Sequence, residues 1–303
     1  GTIGSNPLNL TVNGFKLFFS ADDGSLGREL WAMDTYGTTP NMLADLASGA
    51  LSSNPSQITT FLGGILFAAD NGVDGNELFV SDGTPGVTLL LADLNPGTGS
   101  SNPASFVLGE EGTLVPTAFG FGTSSTSTTI FFVATNGAGD RKLMQMNEFY
   151  SPSEVFYSNP PANEPLDPSN LFYHHGRLLF AADDGVHGRE PWAFNDQTLE
   201  VTLLQDIATG TLASSPTSFT ALSGGLYLFA ATNAAGDRQL WRTDGSSLGT
   251  TAVADLNPTG DDDVHDLLAI DGQVYFVAND GTHGSELWRT NGFSGGTLPI
   301  RQL

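Results

Sequence analysis

Acidic side chains recur in pairs in this sequence, seven positions apart and separated by a glycine-containing turn. The paired residues are Asp22 and Glu29, Asp70 and Glu77, Asp183 and Glu190, and Asn279 and Glu286. Two further copies hold Thr135 with Lys142 and Thr232 with Gln239, so the glutamate is absent where the first residue is threonine. Two carboxylates in one short turn repel each other unless a positive charge or several N–H groups lie between them. The pairs are therefore candidate ligands of a cation.

Calcium is the cation that suits these pairs, because Ca²⁺ takes oxygen ligands from aspartate, glutamate and backbone carbonyls. The alternative interpretation is that each carboxylate accepts backbone N–H bonds and locks its own turn, as in Asx turns. The spacing differs from that of a standard calcium loop such as D-x-[DN]-x-[DN]-G. Both interpretations stay open at this point, and no other cofactor is indicated.

A second candidate site is an insertion that interrupts the regular spacing of the chain at residues 109–127. It contains Phe119 and Phe121, each flanked by glycine. Irregular loops on a regular scaffold are where binding residues concentrate, and aromatic side chains dominate many interfaces. We predict that Phe119 and Phe121 are exposed and contact a partner.

The composition excludes several classes of function. The 303 residues include 10 basic and 33 acidic side chains, a formal net charge of −23, so binding to nucleic acid phosphates is not expected. Cysteine is absent, which excludes a thiol nucleophile and a thiolate metal site. No stretch approaches the ~18 apolar residues of a membrane span. Hydrophobic residues at 39%, with 20 Phe, supply a core, so the acidic chain is predicted to fold.

Six copies of an apolar run ending in a turn place these residues in a repeat. The copies begin with Phe18-Phe19-Ser20-Ala21-Asp22-Asp23-Gly24, and their last positions are 24, 72, 137, 185, 234 and 281. The intervals are 48, 65, 48, 49 and 47 residues, so one copy is longer by about 17. A repeat of this length points to a propeller or a solenoid. One aromatic position per copy, held by Trp31, Phe79, Trp192, Trp241 and Trp288, is predicted to be core.

Each copy is predicted to contain four antiparallel strands. In the second copy we predict strands at 56–62, 65–69, 77–81 and 88–94, with Asn71-Gly72 and Asp82-Gly83 in turns. A four-stranded sheet cannot bury both of its faces, so such sheets pack face to face around an axis. We predict an all-β fold, a single six-bladed β-propeller over 1–303, with blades at about 5–48, 53–97, 101–158, 167–210, 215–258 and 263–303. The ring is expected to close by packing of blade 6 on blade 1, with Gly1 near Leu303.

The strand and turn sequences resemble a known repeat family. The segments Arg28-Glu29-Leu30-Trp31, Glu77 to Gly86 (ELFVSDGTPG), Leu240 to Gly245 (LWRTDG) and Glu286 to Gly292 (ELWRTNG) are similar to the ELWxxDGTxxGT, or hyalin-like, repeat. This resemblance extends over essentially the whole chain. It implies an extracellular or surface β-propeller module, mostly bacterial, without an assigned reaction.

The function predicted from these observations is binding or scaffolding, without catalysis, by a secreted, surface-exposed or periplasmic propeller within a larger assembly. A protein or glycan partner is expected at a rim or at the insertion in blade 3. The alternative is a propeller-type glycan hydrolase or lyase with a site in the central channel. The first strands of the blades offer few groups for such an enzyme, namely Gln57, Ser105, Asn170, Ser218 and Asp266.

Overall fold

The fold was analysed in a computed structural model, which describes residues 4–109, 129–147, 150–158 and 160–300. Within these ranges the regular structure consists of 24 β-strands and one short 3₁₀ helix, Ser294–Gly296. None of the helical structure in the described ranges has the length and apolar character needed to span a membrane. The chain divides into two compact units, Gly1–Val155 and Phe156–Leu303.

The first unit contains three blades of four strands each. Blade 1 consists of β1 (Leu8–Asn13), β2 (Lys16–Asp22), β3 (Arg28–Asp34) and β4 (Asn41–Ala44). Blade 2 consists of β5 (Ser56–Phe61), β6 (Gly64–Asp70), β7 (Asn76–Ser81) and β8 (Thr88–Ala92). Blade 3 consists of β9 (Ala104–Leu108), β10 (Ile130–Thr135), β11 (Arg141–Met146) and β12 (Ser153–Glu154).

The second unit contains three further blades of the same construction. Blade 4 consists of β13 (Leu166–His174), β14 (Arg177–Asp183), β15 (Arg189–Asn195) and β16 (Glu200–Leu203). Blade 5 consists of β17 (Thr217–Leu222), β18 (Leu226–Thr232), β19 (Arg238–Thr243) and β20 (Thr251–Ala254). Blade 6 consists of β21 (His265–Ile270), β22 (Gln273–Asn279), β23 (Ser285–Thr290) and β24 (Leu298–Pro299).

In every blade the four strands pair antiparallel in chain order, so each sheet is a simple meander. The predicted fold class is confirmed: six consecutive four-stranded antiparallel sheets with almost no helix form a six-bladed all-β propeller. The strands predicted for blade 2 agree with β5 to β8 to within two residues at each end. Asn and Asp beside glycine mark the turns because these residues tolerate the left-handed backbone that tight turns require.

The first strand of every blade contains a bulge at one residue with a left-handed backbone. These residues are Asn9, Gln57, Ser105, Asn170, Ser218 and Asp266, with φ between 53° and 58°. The pairing register with the second strand shifts at each of them, as between Ser56 and Thr59. Three of the bulge side chains reach the next blade of their own unit. Asn9 Nδ2 donates to the Pro55 carbonyl at 2.9 Å and Asn170 Nδ2 to the Pro216 carbonyl at 3.1 Å, while Gln57 Oε1 accepts from Ser105 N at 3.3 Å.

The core of each unit lies between neighbouring blades. Between blades 1 and 2, Phe18 and Leu30 pack with Ile65 and Phe67, all at most 1% exposed. The aromatic position of the third strand contributes to these cores, because Phe79, Trp192 and Trp288 are buried and Trp31 and Trp241 are half-buried. Burial between sheets explains why the middle strands are apolar on both faces.

Two parts of the sequence-based interpretation remain predictions. Phe119 and Phe121, with nearly all of the insertion at 109–127, lie outside the described residues, as do Gly1 and Leu303. The single domain over 1–303 and the closure of the ring therefore stay predictions. The strands of each blade lie inside the range predicted for it, except that β13 begins at Leu166, one residue before the predicted start of blade 4.

Candidate functional site

The first residue of each predicted pair caps the turn between the second and third strands. Asp22, Asp70 and Asp183 each accept the N–H of the glycine two residues later, at 2.7 Å in all three cases. Asn279 does the same for Gly281 at 2.8 Å. These are the Asx turns that the turn-locking interpretation predicts.

In blades 1, 2 and 4 the glutamate of the pair is buried and binds a different part of the chain. Glu77 is 0% exposed and faces the loop that leads from blade 2 to blade 3. Its Oε1 accepts from Ser101 N at 2.7 Å, and its Oε2 accepts from Leu94 N at 2.8 Å and from Ser101 Oγ at 2.6 Å. Both carboxylate oxygens are therefore occupied by donors of the protein.

The same network recurs in blades 1 and 4. Glu29 accepts from Ser53 N, Ser53 Oγ and Leu46 N at 3.0, 2.5 and 3.0 Å. Glu190 accepts from Ser214 N and Oγ at 3.1 and 2.6 Å, and from Ile207 N and Ala208 N. We call each buried carboxylate together with the amides and hydroxyl that it binds a carboxylate bridge.

Each bridge joins two consecutive blades. Ser53, which donates to Glu29 of blade 1, also accepts the N–H of Asp70 at the end of β6 in blade 2, at 2.9 Å through its carbonyl. Ser101 repeats this pattern with Thr135 of blade 3 at 2.8 Å. The serine is thus held by one blade through its donors and by the next blade through its acceptor.

The predicted pairs therefore divide their contacts, since the aspartate binds its own turn and the glutamate binds the following loop. In blade 6, Glu286 and Asn279 are both half-buried, and Asn279 caps its turn as described. These contacts support the turn-locking alternative, and the assignment of Asp22, Glu29 and their equivalents as Ca²⁺ ligands stays a prediction.

Burial raises the pKa of Glu29, Glu77 and Glu190, while the serine and amide donors lower it and only partly offset burial. A neighbouring aspartate, Asp45 or Asp93, adds to the rise in pKa at Glu29 and Glu77. The raised pKa reflects the cost of placing a carboxylate inside the protein, which hydrogen-bonded amides make tolerable.

In blade 5 the carboxylate of the bridge comes from the loop after the blade and not from the third strand. It has Gln239 in place of the glutamate and Asp262 in place of the serine. Asp262 is 0% exposed, and its Oδ1 accepts from Leu256 N at 3.0 Å and Asn257 N at 2.6 Å. Leu256 follows Asp255 as Leu46 follows Asp45, so the same backbone N–H receives a carboxylate from the loop instead of from the strand.

Asp262 lies in a group of three carboxylates that could hold a metal ion. Ligand oxygens of Asp237, Asp255 and Asp262 lie within 4.8 Å of one another, and Asp237 Oδ1 accepts from Asp262 N at 2.8 Å. Burial, together with the charges of Asp237 and Asp255, raises the pKa of Asp262 to about 6. The amides that bind Asp262 lower its pKa but do not compensate for burial.

Two cavities occupy equivalent places in the two units. One of about 320 Å³ lies between blades 1 and 2 and is lined by Lys16, Asp34, Thr38, Thr39, Asn41 and Gly83, among others. The other, of about 290 Å³, lies between blades 4 and 5 and is lined by Arg177, Asn195, Glu200, Thr202, Gly245 and Ser246, among others. We call them the first and the second cavity.

A glycine turn lets neighbouring blades approach at each cavity. A Cβ at Gly83, which has φ of +80°, would lie 2.9 Å from Lys16 Cδ and 2.8 Å from the ring of Phe18. At the second cavity, Arg177 Nη1 donates to the Gly245 carbonyl at 2.7 Å. Only glycine combines this backbone with such close approach, so the Asp-Gly turn of the repeat is required for packing.

The sequence pattern did not predict the partners of the buried glutamates, which are Ser53, Ser101 and Ser214, or the basic residues of the cavities. The serines stand in the recurring Ser-Asn-Pro or Ser-Ser-Pro of the loops, which carries the signal but reads as ordinary turn composition. In blade 5 the glutamate position holds Gln239 while the serine position holds Asp262. This paired change is the observation that could have linked the two positions.

Comparison with known proteins gives the fold and no family. No protein-family model and no curated protein matches the sequence. Among solved structures, a puromycin hydrolase mutant is 14% identical with a TM-score of 0.53, covering 98% of this chain and 45% of its own. A puromycin-hydrolyzing peptidase of Mycobacterium tuberculosis is 14% identical with a TM-score of 0.50, covering 100% and 44%. The β-propeller domain of the Trilobed protease from Pyrococcus furiosus is 12% identical with a TM-score of 0.47, covering 99% and 86%.

This chain thus spans less than half the length of the first two chains. At 14% identity, the likeness to them concerns the fold alone.

Substitutions at Gln239 and Asp262, singly and together, test whether the bridge of blade 5 requires one carboxylate. Asp262→Ser alone should lower the free energy of unfolding by roughly 2–4 kcal/mol, because two buried amides lose their acceptor. Gln239→Glu alone should also destabilise, since it adds a carboxylate beside Asp262 and Asp237. The double variant should recover at least about 1 kcal/mol of the summed loss in denaturant unfolding. Additive effects would contradict the interpretation, and Glu200→Gln, at an exposed carboxylate, is the control.

The raised pKa of Asp262 makes stability depend on pH with a defined sign. Between its ordinary value of 3.8 and about 6, the folded chain binds the proton more tightly than the unfolded chain. This contribution to stability is therefore present at low pH and is lost as the pH rises through about 6. Asp262→Asn should make the fall in unfolding free energy from about pH 4 to about pH 7 shallower. An unchanged slope, matching that of the exposed control Asp34→Asn, would disprove the assignment.

Proposed function

We propose that this chain is a non-enzymatic binding and scaffold propeller that works at a cell surface, in the periplasm or in the extracellular medium, within a larger assembly. One observation carries the proposal: the buried carboxylates of blades 1, 2 and 4 are occupied by backbone amides and serine hydroxyls. Groups used in this way hold blades together and are not free to exchange protons with a substrate. The accessible polar surfaces that the fold leaves for a ligand include the two cavities.

The first strands supply a further argument against catalysis. Glycosidases place two carboxyl groups about 5–10 Å apart beside the substrate. Among the five first-strand positions considered for such a site, Asp266 alone carries a carboxylate. Gln57 and Asn170 use their side chains to bind the next blade. The glycan hydrolase or lyase alternative therefore gains no support from these positions.

The charge distribution supports a location outside the cytoplasm. Four of the arginines donate to the carbonyl of a residue with a left-handed backbone, as Arg28 does at Asn6 and Arg189 does at Asp167. These basic side chains are thus bound within the fold, and acidic side chains outnumber basic ones by 33 to 10 over the chain. A chain with this charge stays soluble by self-repulsion and attracts cations.

The proposal is tested by labelling and turnover measurements on the full-length protein. An antibody against the chain should label intact cells of the source organism, or detect the protein in the periplasm or the medium. Incubation with oligosaccharides should yield no new reducing ends and no unsaturated products, because the first-strand positions considered above supply a single carboxylate, Asp266. Product formation would overturn the non-enzymatic assignment, and confinement of the protein to the cytoplasm would overturn the location.

The calcium hypothesis has a test of its own. Each buried glutamate already has protein donors, so we expect the same melting temperature with EDTA and with millimolar CaCl₂. A rise in melting temperature with CaCl₂ that is lost in Glu77→Gln would instead establish a calcium site at the predicted pair. MgCl₂ serves as the control for a general effect of ionic strength.

A further inference from the structure

Two exposed aromatic side chains adjoin, in the sequence, residues that line the first cavity. Phe15 is 75% exposed and Tyr36 is 90% exposed, and their ring centroids lie 6.4 Å apart with an interplanar angle of 40°. Phe15 immediately precedes Lys16 and Tyr36 immediately precedes Gly37, and both of these neighbours line the cavity. The Thr35 N–H joins the two turns by donating to the Phe15 carbonyl at 2.7 Å. Single exposed apolar residues are common on proteins, whereas these two rings lie close together and next in sequence to residues of the cavity.

The walls of this cavity offer hydrogen-bonding groups of every kind. Lys16 Nζ and Asp34 Oδ1 lie 3.5 Å apart, with side chains 41% and 73% exposed, so both stay accessible to a ligand. Thr38 and Thr39 add hydroxyl groups, and Asn41 adds an amide. The set contains donors and acceptors with one positive and one negative charge, which suits a ligand rich in hydroxyl groups. Its volume, about 320 Å³, is at the lower end of the ~300–1,000 Å³ range of small-molecule sites.

We propose that the first cavity, with Phe15 and Tyr36 at its edge, binds a sugar unit of a neutral oligosaccharide. A pyranose ring has an apolar face of C–H groups, which an aromatic ring can cover, and a rim of hydroxyl groups, which the cavity can bind. A polyanionic glycan is disfavoured because the chain carries a net charge of −23. The inference deepens the proposed function and rests on it, since it names the class of partner.

A protein partner fits this surface less well. Protein interfaces gain most of their affinity from aromatic side chains packed into dry pockets. Here the aromatic residues are exposed on the surface, and the cavity combines polar lining residues with the apolar Ala32, Met33, Leu43 and Pro85. A bound protein would have to leave these polar groups hydrated or supply a hydrogen-bonding partner for each. Sugar hydroxyl groups both donate and accept hydrogen bonds, so they can pair with either kind of group.

The second cavity is a natural control within the same chain. By the repeat alignment, Gly176 and Gln197 take the places of Phe15 and Tyr36, while Arg177 and Asn195 take those of Lys16 and Asp34. The second cavity therefore retains a basic residue and polar groups but lacks both aromatic rings. Substitutions at Gln197 should leave sugar binding unaffected.

The test is calorimetric titration of the full chain with four neutral hexasaccharides, built of glucose, mannose, galactose and N-acetylglucosamine. We expect at least one to bind, with Kd raised about tenfold by Tyr36→Ala and by Phe15→Ala, since each removes a stacking face. Gln197→Ala should leave Kd unchanged. Both aromatic residues are exposed, so the variants should keep the wild-type melting temperature, which is measured alongside.

The outcomes separate this inference from the proposed function. Failure of all four hexasaccharides to bind at millimolar concentration overturns the sugar site and leaves a non-enzymatic propeller in place. Binding that Tyr36→Ala and Phe15→Ala leave unchanged also overturns it, because the sugar then binds elsewhere. If no sugar binds and Tyr36→Ala abolishes a purified protein complex, the surface serves a protein. Cleavage of a hexasaccharide would refute the proposed function itself.

Discussion

A carboxylate buried between consecutive blades is the constraint on which much of this structure depends. The loop from one blade to the next must turn sharply beneath the sheets, which leaves backbone N–H groups without partners in a strand. Each such buried amide costs about 1–3 kcal/mol if it finds no acceptor. Glu29, Glu77 and Glu190 supply the acceptor, at the expense of desolvating a charge. The cost of an unpaired amide and the cost of desolvating a carboxylate nearly offset each other only when the carboxylate lies where it accepts from that amide.

Blade 5 indicates that the place matters more than the residue that fills it. In the other bridges the third strand supplies the carboxylate and the loop supplies a serine hydroxyl. In blade 5 the strand supplies the amide of Gln239 and the loop supplies the carboxylate of Asp262. The loop amide receives its acceptor in either arrangement. The price of the reversal is a more crowded set of charges, since Asp237 and Asp255 lie beside Asp262. Burial, with a further contribution from the charges of Asp237 and Asp255, raises the pKa of Asp262 to about 6.

Most of the fold was predictable from the sequence because it is encoded by short-range features that recur. The interval of about 48 residues, the alternation of the strands and the Asp-Gly turns each depend on neighbours in the chain. The partners of Glu77 were not predictable in this way, since Ser101 lies 24 residues later and its loop composition resembles any turn. The cavity formed by Lys16 and Gly83 likewise depends on how blades approach, which no local pattern encodes. The sequence pattern singled out Glu29, Glu77 and Glu190, and it left open which atoms they bind.

The carboxylate bridges occur in both units of the chain. Two lie in the first unit, joining blades 1 to 2 and 2 to 3, and two lie in the second unit, joining blades 4 to 5 and 5 to 6. Blade 3, which ends the first unit, has Lys142 where the glutamate would stand. Within the residues that the structure describes, each unit thus contains two bridges of its own. Loss of one bridge is therefore expected to weaken first the contact between the two blades that the bridge joins.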